Sequence, residues 1–367
     1  MIKIALVHDW LNQMGGAEQV LENLVDLYPD APVYTSIYWP QGVSPAYRAW
    51  DIRTTWLDKV PGVKRHHQLF FPLYPIALES LDLDGYDVVL SNKSGFCHGV
   101  LTPPETVHVC YCLTPTRYVW RYHDYARQEA IGPLARAALQ PVLTYLRMWD
   151  RLAAERVDRF VAISSEVQRR IRKYYRRDST IVYPPVETQR FAPAGSHDDY
   201  YLSVGRLVPY KRVDLAVQAC TRLGLPLKVA GKGRDMERLQ AQAGPTVEFL
   251  GYVPDGELGE LMARCKAFLF PGAEDFGIAP IQAMAAGRPV IAFAAGGALD
   301  TVIEGTSGTL FAEQSVDALA QALQAFDVDR YDPAVIRSHA EQYDASVFKD
   351  KIAEVVAQAY EEHKRWS

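Results

Sequence analysis

Two groups of residues have the types and spacing to handle a phosphorylated sugar. In PGAEDFGIAPIQ (271–282), Glu274 and Gly277 lie between the apolar run AFLFPG and the plain helical run IQAMAAG. A connection at the carboxyl end of a buried strand can offer Glu274 to sugar hydroxyls. Gly277 permits close backbone approach, and the helix that follows directs its first N–H groups at a phosphate or sugar oxygen. Gln282 falls in the first turns of that helix and can face the same ligand. In SVGRLVPYKRVDLAVQAC (203–220), Arg206 leaves a strand and Lys211 follows just before a helix. Two cations beside a helix amino end make a diphosphate clamp without a glycine-rich loop.

Other strand ends are less selective. Gly15-Gly16 in HDWLNQMGGAEQVLENL precede a helix and could approach an anion or sugar, although a tight turn explains them about as well. The loop is not GxGxxG, which counts against a dinucleotide cofactor. His8 and Asp9 leave the first strand together as general-base or hydroxyl-binding groups, or Asp9 is a helix cap. Gly231 and Gly233 bracket Lys232 as a close-approach turn or an ordinary strand-to-helix turn. Asp82-Leu83-Asp84 resembles a metal-binding acid pair, but it precedes the strand DVVLSN and reads as a solvent turn. No metal ligands and no bound cofactor are expected.

The elements that must position these residues are short β-rich runs alternating with helical ones. In the first half the strands are IKIALVH, APVYTSIY, DVVLSN, HVCYC and RFVAIS. In the second they are YYLSVGRL, PLKVAGKG, TVEFLGYV, AFLFPG, PVIAF and GTLF. That alternation, occurring twice, predicts two doubly wound α/β domains with parallel sheets. Prolines and polar residues in VYPPVETQRFAPAGSHDD mark the join at about 184–199, giving domains 1–190 and 191–346. Open α/β sheets bind ligands at the carboxyl ends of their strands, so two such domains imply a substrate cleft.

The 367 residues suffice for two cores, and 49% hydrophobic with 23% charged residues is ordinary globular composition. The chain opens directly in IKIALVH, without a basic leader or an apolar run of 18 residues, which points to a cytoplasmic protein. Its five cysteines show no CxxC pair and read as buried hydrophobes in a reducing compartment. Net charge is −5, unevenly spread. Residues 1–190 hold 22 basic and 20 acidic groups, the remainder 17 and 24, and 117–177 alone 14 and 6. A basic first half suits an anionic surface or substrate, and each single charge run also reads as a solvated helix face. The stretches KRHHQLFFPLYPIAL (64–78) and IGPLARAALQPVLTYLRMW (131–149) are apolar with basic flanks. They fit an anionic membrane surface or core helices.

SVGRLVPYKRVDLAV, GYVPD and PGAEDFGIAPIQAMAAGRPVIAFAAGGALDTV together resemble retaining family-4 glycosyltransferases of the GT-B fold. HDWLNQMGGAE, YCLTPTRYVW and VYPPVETQRF extend the resemblance over nearly the whole chain, toward bacterial mannosyltransferase-like enzymes of polysaccharide assembly. The resemblance implies that Arg206 and Lys211 hold the donor diphosphate as leaving group and that Glu274 binds the transferred hexose. It also implies backbone contacts from Phe276, Gly277 and Ile278, a ribose contact from Gln282, and base recognition by the backbone of Tyr252 and Val253. Gly16 would approach the donor phosphate from the first domain, and a last helix, about Val347 to Trp366, would cross back onto that domain. Transfer would proceed on one face of the sugar without a protein nucleophile or a metal, the leaving phosphate helping to remove the acceptor proton.

Two positions depart from the family pattern. Gln282 stands where an acid usually completes Glu-x7-Glu, and Leu113 stands where a histidine is common. Leu113 can neither donate nor accept a hydrogen bond. Leu113 leaves the set of groups around the anomeric carbon open, and a catalytic role for His8, His98 or Arg117 is not implied by the resemblance. The partners expected are a nucleotide sugar, GDP-mannose by resemblance, and a glycan or lipid-linked acceptor at the inner face of an anionic membrane, with no nucleic acid. A catalytically silent nucleotide-sugar-binding subunit is the competing reading, suggested by Leu113 and Gln282. A nucleotide-sugar epimerase is another.

Overall fold

The structure is a computed structural model that describes residues 2–122 and 132–365, with the backbone alone for 133–137 and 255. Three parts of the sequence reading lie outside the described residues: 123–131 of the basic zone, Ile131 of the second apolar stretch, and Trp366 of the last helix.

Among the described residues, thirteen strands form two sheets, each parallel throughout. The chain separates into two compact units, 1–185 with 348–367, and 186–347. The first change of unit falls before the boundary expected at 190, and the last helix begins at Ala345.

The first unit contains β1 (Ile4–His8), β2 (Val33–Thr35), β3 (Ile52–Thr54), β4 (Val88–Lys93), β5 (Val107–Cys112), β6 (Arg159–Ala162) and β7 (Ser179–Ile181), in the order β3-β2-β1-β4-β5-β6-β7. The order reverses between β1 and β4, whose ends are paired as His8 with Asn92. The second unit contains β8 (Tyr201–Val204), β9 (Leu227–Ala230), β10 (Val247–Gly251), β11 (Ala267–Phe270), β12 (Val290–Phe293) and β13 (Gly308–Phe311), in the order β10-β9-β8-β11-β12-β13. Here the reversal lies between β8 and β11. Such reversals open a crevice at the carboxyl ends of the strands, where ligands bind in folds of this kind.

The central strands are fully buried because helices cover both faces, and they are mostly apolar, although β4 ends in Ser91, Asn92 and Lys93. The helix Val213–Leu223 shows the logic on the other layer. Its Val213, Leu215, Ala216, Val217, Ala219 and Cys220 are buried against the second sheet. Each large aliphatic side chain so buried contributes about 1.5–3 kcal/mol. Gly224, at φ 65°, ends that helix in the left-handed conformation, and its N–H bonds back to Cys220 and Thr221. The edge strands β3 and β7, absent from the sequence reading, are three residues each and only partly buried.

The two amphipathic stretches take different forms. Residues 64–78 are broken into short helical segments around Pro72 and Pro75. Tyr74, Ala77 and Leu78 enter the core, whereas Leu69 is 79% exposed. The second stretch is one helix, Pro133–Ala153, which buries Leu143, Leu146 and Trp149 and leaves Met148 61% exposed. No helix among the described residues is long and apolar enough to cross a membrane.

Candidate active site

The loops after β8 and β11 carry the charged residues picked out by type and spacing. Lys211 closes a short helical turn, Pro209–Lys211, and its Nζ lies 2.9 Å from Glu274 Oε1, each side chain about a fifth exposed. The contact joins the two sides of the crevice where strand order reverses. Arg212 directs Lys211 there. It is a non-glycine residue in the left-handed region, at φ 51°, and turns the chain from that short turn into the helix Val213–Leu223. Its guanidinium is occupied by Asp214 at 3.1 Å and Gln314 at 3.3 Å. Arg206 is exposed, and no carboxylate pairs with it among the described residues. Three neighbouring cations are thus in different states: Arg212 is compensated, Lys211 is shared with a carboxylate, and Arg206 faces solvent.

The loop that carries Glu274 is braced from behind. Gly297 N–H donates to the carbonyl of Glu274 at 2.9 Å. A side chain at Gly297 would place its Cβ 2.3 Å from Phe276 Cα, and one at Gly296 would lie 2.1 Å from the Glu274 carbonyl. Only glycine allows the turn after β12 to lie that close. Phe276 is buried, and Gly277 at φ 94° caps the helix Ile278–Ala285 without a capping side chain. The first-turn N–H groups of Ile278 and Ala279 are therefore left for an anion or a polar oxygen. Gln282 is half-buried on this helix, and its side-chain amide makes no hydrogen bond among the described residues.

The remaining loops of this unit interlock along the same edge. Gly231 N–H donates to Gly251 O at 2.6 Å, and Leu207 N–H donates to Lys232 O at 2.9 Å. The Gly231-Lys232-Gly233 turn is therefore a packed floor between the Arg206 loop and the β10 loop. Beyond Gly251, Val253 is half-buried and Tyr252 is 67% exposed.

In the first unit the structure divides the work of His8 and Asp9. The Asp9 carboxylate is fully buried and accepts from the backbone N–H groups of Ser94 (2.6 Å), Gly95 (2.6 Å), Phe96 (2.5 Å) and Cys97 (2.7 Å). It is a cap for the loop after β4. His8 is also buried, with Nδ1 facing the Asn92 amide at 3.2 Å and Nε2 3.5 Å from Glu18. Gly16 is exposed as the first residue of the helix Gly16–Leu27.

His98, to which the resemblance assigns no catalytic role, is buried between Tyr175 and Trp149 and donates from Nε2 to Asp150 O at 3.1 Å. Burial, with Lys93 nearby, holds its imidazole well below the usual range, so it is a neutral core histidine. Arg117 is exposed at the start of the helix Arg117–Trp120, and Leu113 is half-buried. Asp82 accepts from Asp84 N–H at 3.1 Å, so that acid pair forms a turn before β4. All five cysteines are buried thiols.

Residues 14–190 match the family model Glycosyltransferase Family 4, and residues 186–343 match Glycosyl transferases group 1. An uncharacterised glycosyltransferase of Methanocaldococcus jannaschii is 24% identical over 182 residues, which are 48% of this chain and 52% of that protein. The GDP-mannose-dependent alpha-(1-6)-phosphatidylinositol monomannoside mannosyltransferase of Mycolicibacterium smegmatis is 33% identical over 170 residues, 38% of this chain and 44% of that protein. The chain spans about half the length of the curated relatives it matches. The crystal structure of Anabaena HepE in complex with UDP superimposes with a TM-score of 0.72 at 17% identity, over 97% of this chain and 100% of that one, a likeness of fold. With two matching models that between them take in nearly all of its length, the chain belongs to the family-4, group 1 glycosyltransferases of the GT-B fold.

Proposed function

We propose that the chain transfers a hexose with retention from a nucleoside-diphosphate sugar to a glycan or lipid-linked acceptor. The observation that carries this reading is the Lys211–Glu274 contact at 2.9 Å, set in the crevice between β8 and β11 beside the exposed Arg206. An ammonium beside a carboxylate supports this reading, because a sugar linked to a diphosphate needs a cation for the phosphates next to an acceptor for its hydroxyls. Lys211 and Arg206 take the diphosphate and stabilise the charge that builds on its leaving oxygen. Glu274 holds the hexose hydroxyls, while the N–H groups around Phe276, Gly277 and Ile278 fix the ring and phosphate. The bond from the anomeric carbon to the diphosphate breaks as the acceptor oxygen bonds to the same face. The acceptor proton passes to the leaving phosphate.

Gln282 contacts the ribose and Val253 the base edge in this reading, while Gly16, on the resemblance alone, meets the donor phosphate. GDP-mannose is the donor we favour, supported by the name of the Mycolicibacterium smegmatis relative. The structure of HepE with UDP makes uridine donors the alternative to test. The exposed Leu69, Tyr145, Met148 and Leu152, with the basic residues around them, support peripheral attachment at the inner face of an anionic membrane. The place of action would then be cell-surface polysaccharide synthesis.

The test is a thermal-shift panel of UDP, GDP, UDP-glucose and GDP-mannose, followed by product analysis of the nucleotide sugar that stabilises most. Release of nucleoside diphosphate with a transferred or hydrolysed hexose supports the transferase. Binding without turnover in the presence of membrane acceptors would indicate the silent subunit, and an isomerised nucleotide sugar would indicate an epimerase.

A further inference from the structure

Next to the crevice of the first unit, the last residue of β4 is a lysine with no exposed surface. Lys93 Nζ donates to Thr114 O at 3.1 Å and Thr116 Oγ1 at 3.2 Å. Its own carbonyl accepts from Leu113 N–H at 2.8 Å. Thr116 Oγ1 in turn lies 2.8 Å from Asp150 Oδ1 and 2.6 Å from Gly95 O, so its one proton faces both acceptors. Asp150, also fully buried, accepts through Oδ2 from Trp120 Nε1 at 2.6 Å and Tyr175 OH at 2.8 Å. A buried ammonium and a buried carboxylate are thus joined through one hydroxyl. Burial, the largest single influence, would lower the Lys93 pKa, but Asp150, Cys112, Asp9 and Cys110 together outweigh it, and the lysine is held above its ordinary range as a fixed cation.

This arrangement is a poor choice for stability alone. Burying two charges costs several kcal/mol each, and apolar residues of equal volume often do as well or better. What the charges secure is position. Apart from the Tyr175 hydroxyl on Asp150, the bonds of the relay end on the turn Leu113–Thr116, on the following helix through Trp120, or on the adjacent Ser94–Cys97 loop through Gly95. Those segments stand at the carboxyl ends of β4 and β5, on the side of the sheet where α/β folds bind ligands. Asp9 fixes the Ser94–Cys97 loop independently through four N–H groups.

We propose that Lys93, through Thr116 and Asp150, is a positioning residue that fixes the Leu113–Arg117 turn for the transfer step. The inference rests on the reading that the chain turns over a nucleotide sugar. The relay lies wholly in the first unit, so it governs turnover while leaving the diphosphate clamp of the second unit alone. A misplacement of about 1 Å can cost roughly 100-fold in rate.

Four proteins are compared: wild type, Lys93→Met, Thr116→Val and the double variant Lys93→Met/Asp150→Asn, which removes both buried charges together. The measurements are melting temperature, affinity for UDP and GDP by calorimetry, turnover of whichever of UDP-glucose and GDP-mannose the wild type consumes, and hydrogen exchange of residues 113–120. The expected result is a lower melting temperature for Lys93→Met that the double variant largely restores. Turnover should fall about 10- to 100-fold in all three variants, with donor KM and nucleotide affinity within about twofold of wild type. Exchange at 113–120 should be faster in all three. A double variant that regains turnover along with stability would mean that Lys93 only balances Asp150. Unchanged exchange at 113–120, or weakened nucleotide binding, would also overturn the proposal. If the wild type consumes neither donor, the transferase reading falls and the exchange measurement alone decides whether the relay positions the turn.

Discussion

Replacing Lys211 with alanine tests the candidate clamp most directly. Its ammonium lies 2.9 Å from Glu274 in a site where both side chains are mostly buried, so its removal has two consequences. The first is loss of a preorganised charge from the leaving diphosphate, worth about 3–4 kcal/mol in the transition state. At about 1.4 kcal/mol per decade, turnover at saturating donor should fall at least 100-fold. The second is a carboxylate left without its cation at the proposed diphosphate position. At an effective dielectric constant near 20, two like unit charges some 5–6 Å apart repel by about 3 kcal/mol, an upper bound once water enters the site.

The second consequence makes the substitutions non-additive. Lys211→Ala should weaken nucleoside diphosphate binding more than loss of one cation explains, and adding Glu274→Gln should recover about tenfold of that loss. It should not recover turnover, because the hexose contact is then gone as well. Calorimetric titration of UDP and GDP against the two single variants and the double variant measures the coupling, and single-turnover assays measure the chemical step. Near-normal turnover of Lys211→Ala at saturating donor would remove Lys211 from the clamp. Strictly additive binding losses would show that Glu274 does not face the diphosphate.

Further predictions concern other parts of the chain. Gln282→Ala should weaken nucleoside diphosphate binding by roughly 1–2 kcal/mol, and Gln282→Glu should preserve or tighten it; an unchanged alanine variant would mean that Gln282 only packs its helix. Sedimentation should show the protein on anionic vesicles at low salt and released at high salt, whereas equal binding to neutral lipid, or none to either, would count against membrane attachment. Burial pushes the His108 imidazole down to about 3. The unfolded chain therefore binds the extra proton below about pH 6.5, and stability, complete above that pH, is lost as pH falls toward 3. Between pH 7 and pH 5 this group costs about 2 kcal/mol, so the urea midpoint should drop, and drop less in His108→Gln. A midpoint that does not move over that range would show that His108 is not buried in neutral form.

The six strands of the second unit were legible as short β-rich runs, most plainly in the fully buried AFLF of β11, although β10 at the sheet edge has no fully buried residue. The sequences IRT and STI carry no such signal: at a sheet edge, three half-exposed residues gain their pairing from a neighbouring strand and not from their own pattern. The site divides in the same way. Arg206, Lys211 and Glu274 could be read because they lie in the connections that leave two strands, Arg206 and Lys211 after β8 and Glu274 after β11. Gly296 and Gly297 gave only a glycine pair after PVIAF; that they brace Glu274 and Phe276 depends on two loops meeting after β11 and β12. Asp9 was readable as a cap, but the loop it caps begins 85 residues later. No local pattern in SNKSGF or MWDRL links Lys93 to Asp150.

The two units apply one fold to opposite electrostatic ends. In the first, the ionic groups at the strand ends are buried and spent on the protein itself: Asp9 on four backbone N–H groups, and Lys93, through Thr116, on Asp150 of the helix Pro133–Ala153. A charge so satisfied has little left for a ligand, but it holds its loop with a rigidity that exposed side chains cannot match. In the second, the cations at the strand ends stay at the rim, with Arg206 facing solvent and Lys211 held by one partly buried carboxylate that a diphosphate can replace. The hydration of Lys211 is already partial, so exchanging its carboxylate for phosphate costs less than stripping a free ammonium of water. The difference predicts where each unit is sensitive. Neutralising Arg206 or Lys211 should change ligand affinity and rate while leaving the melting temperature nearly unchanged, because exposed and partly exposed charges contribute little to stability. Neutralising Asp9 or Lys93 should lower the melting temperature first, because each would leave a buried partner unpaired. Melting curves of Arg206→Ala and Asp9→Asn, measured with and without nucleoside diphosphate, separate the two. Equal destabilisation by both substitutions would refute the division.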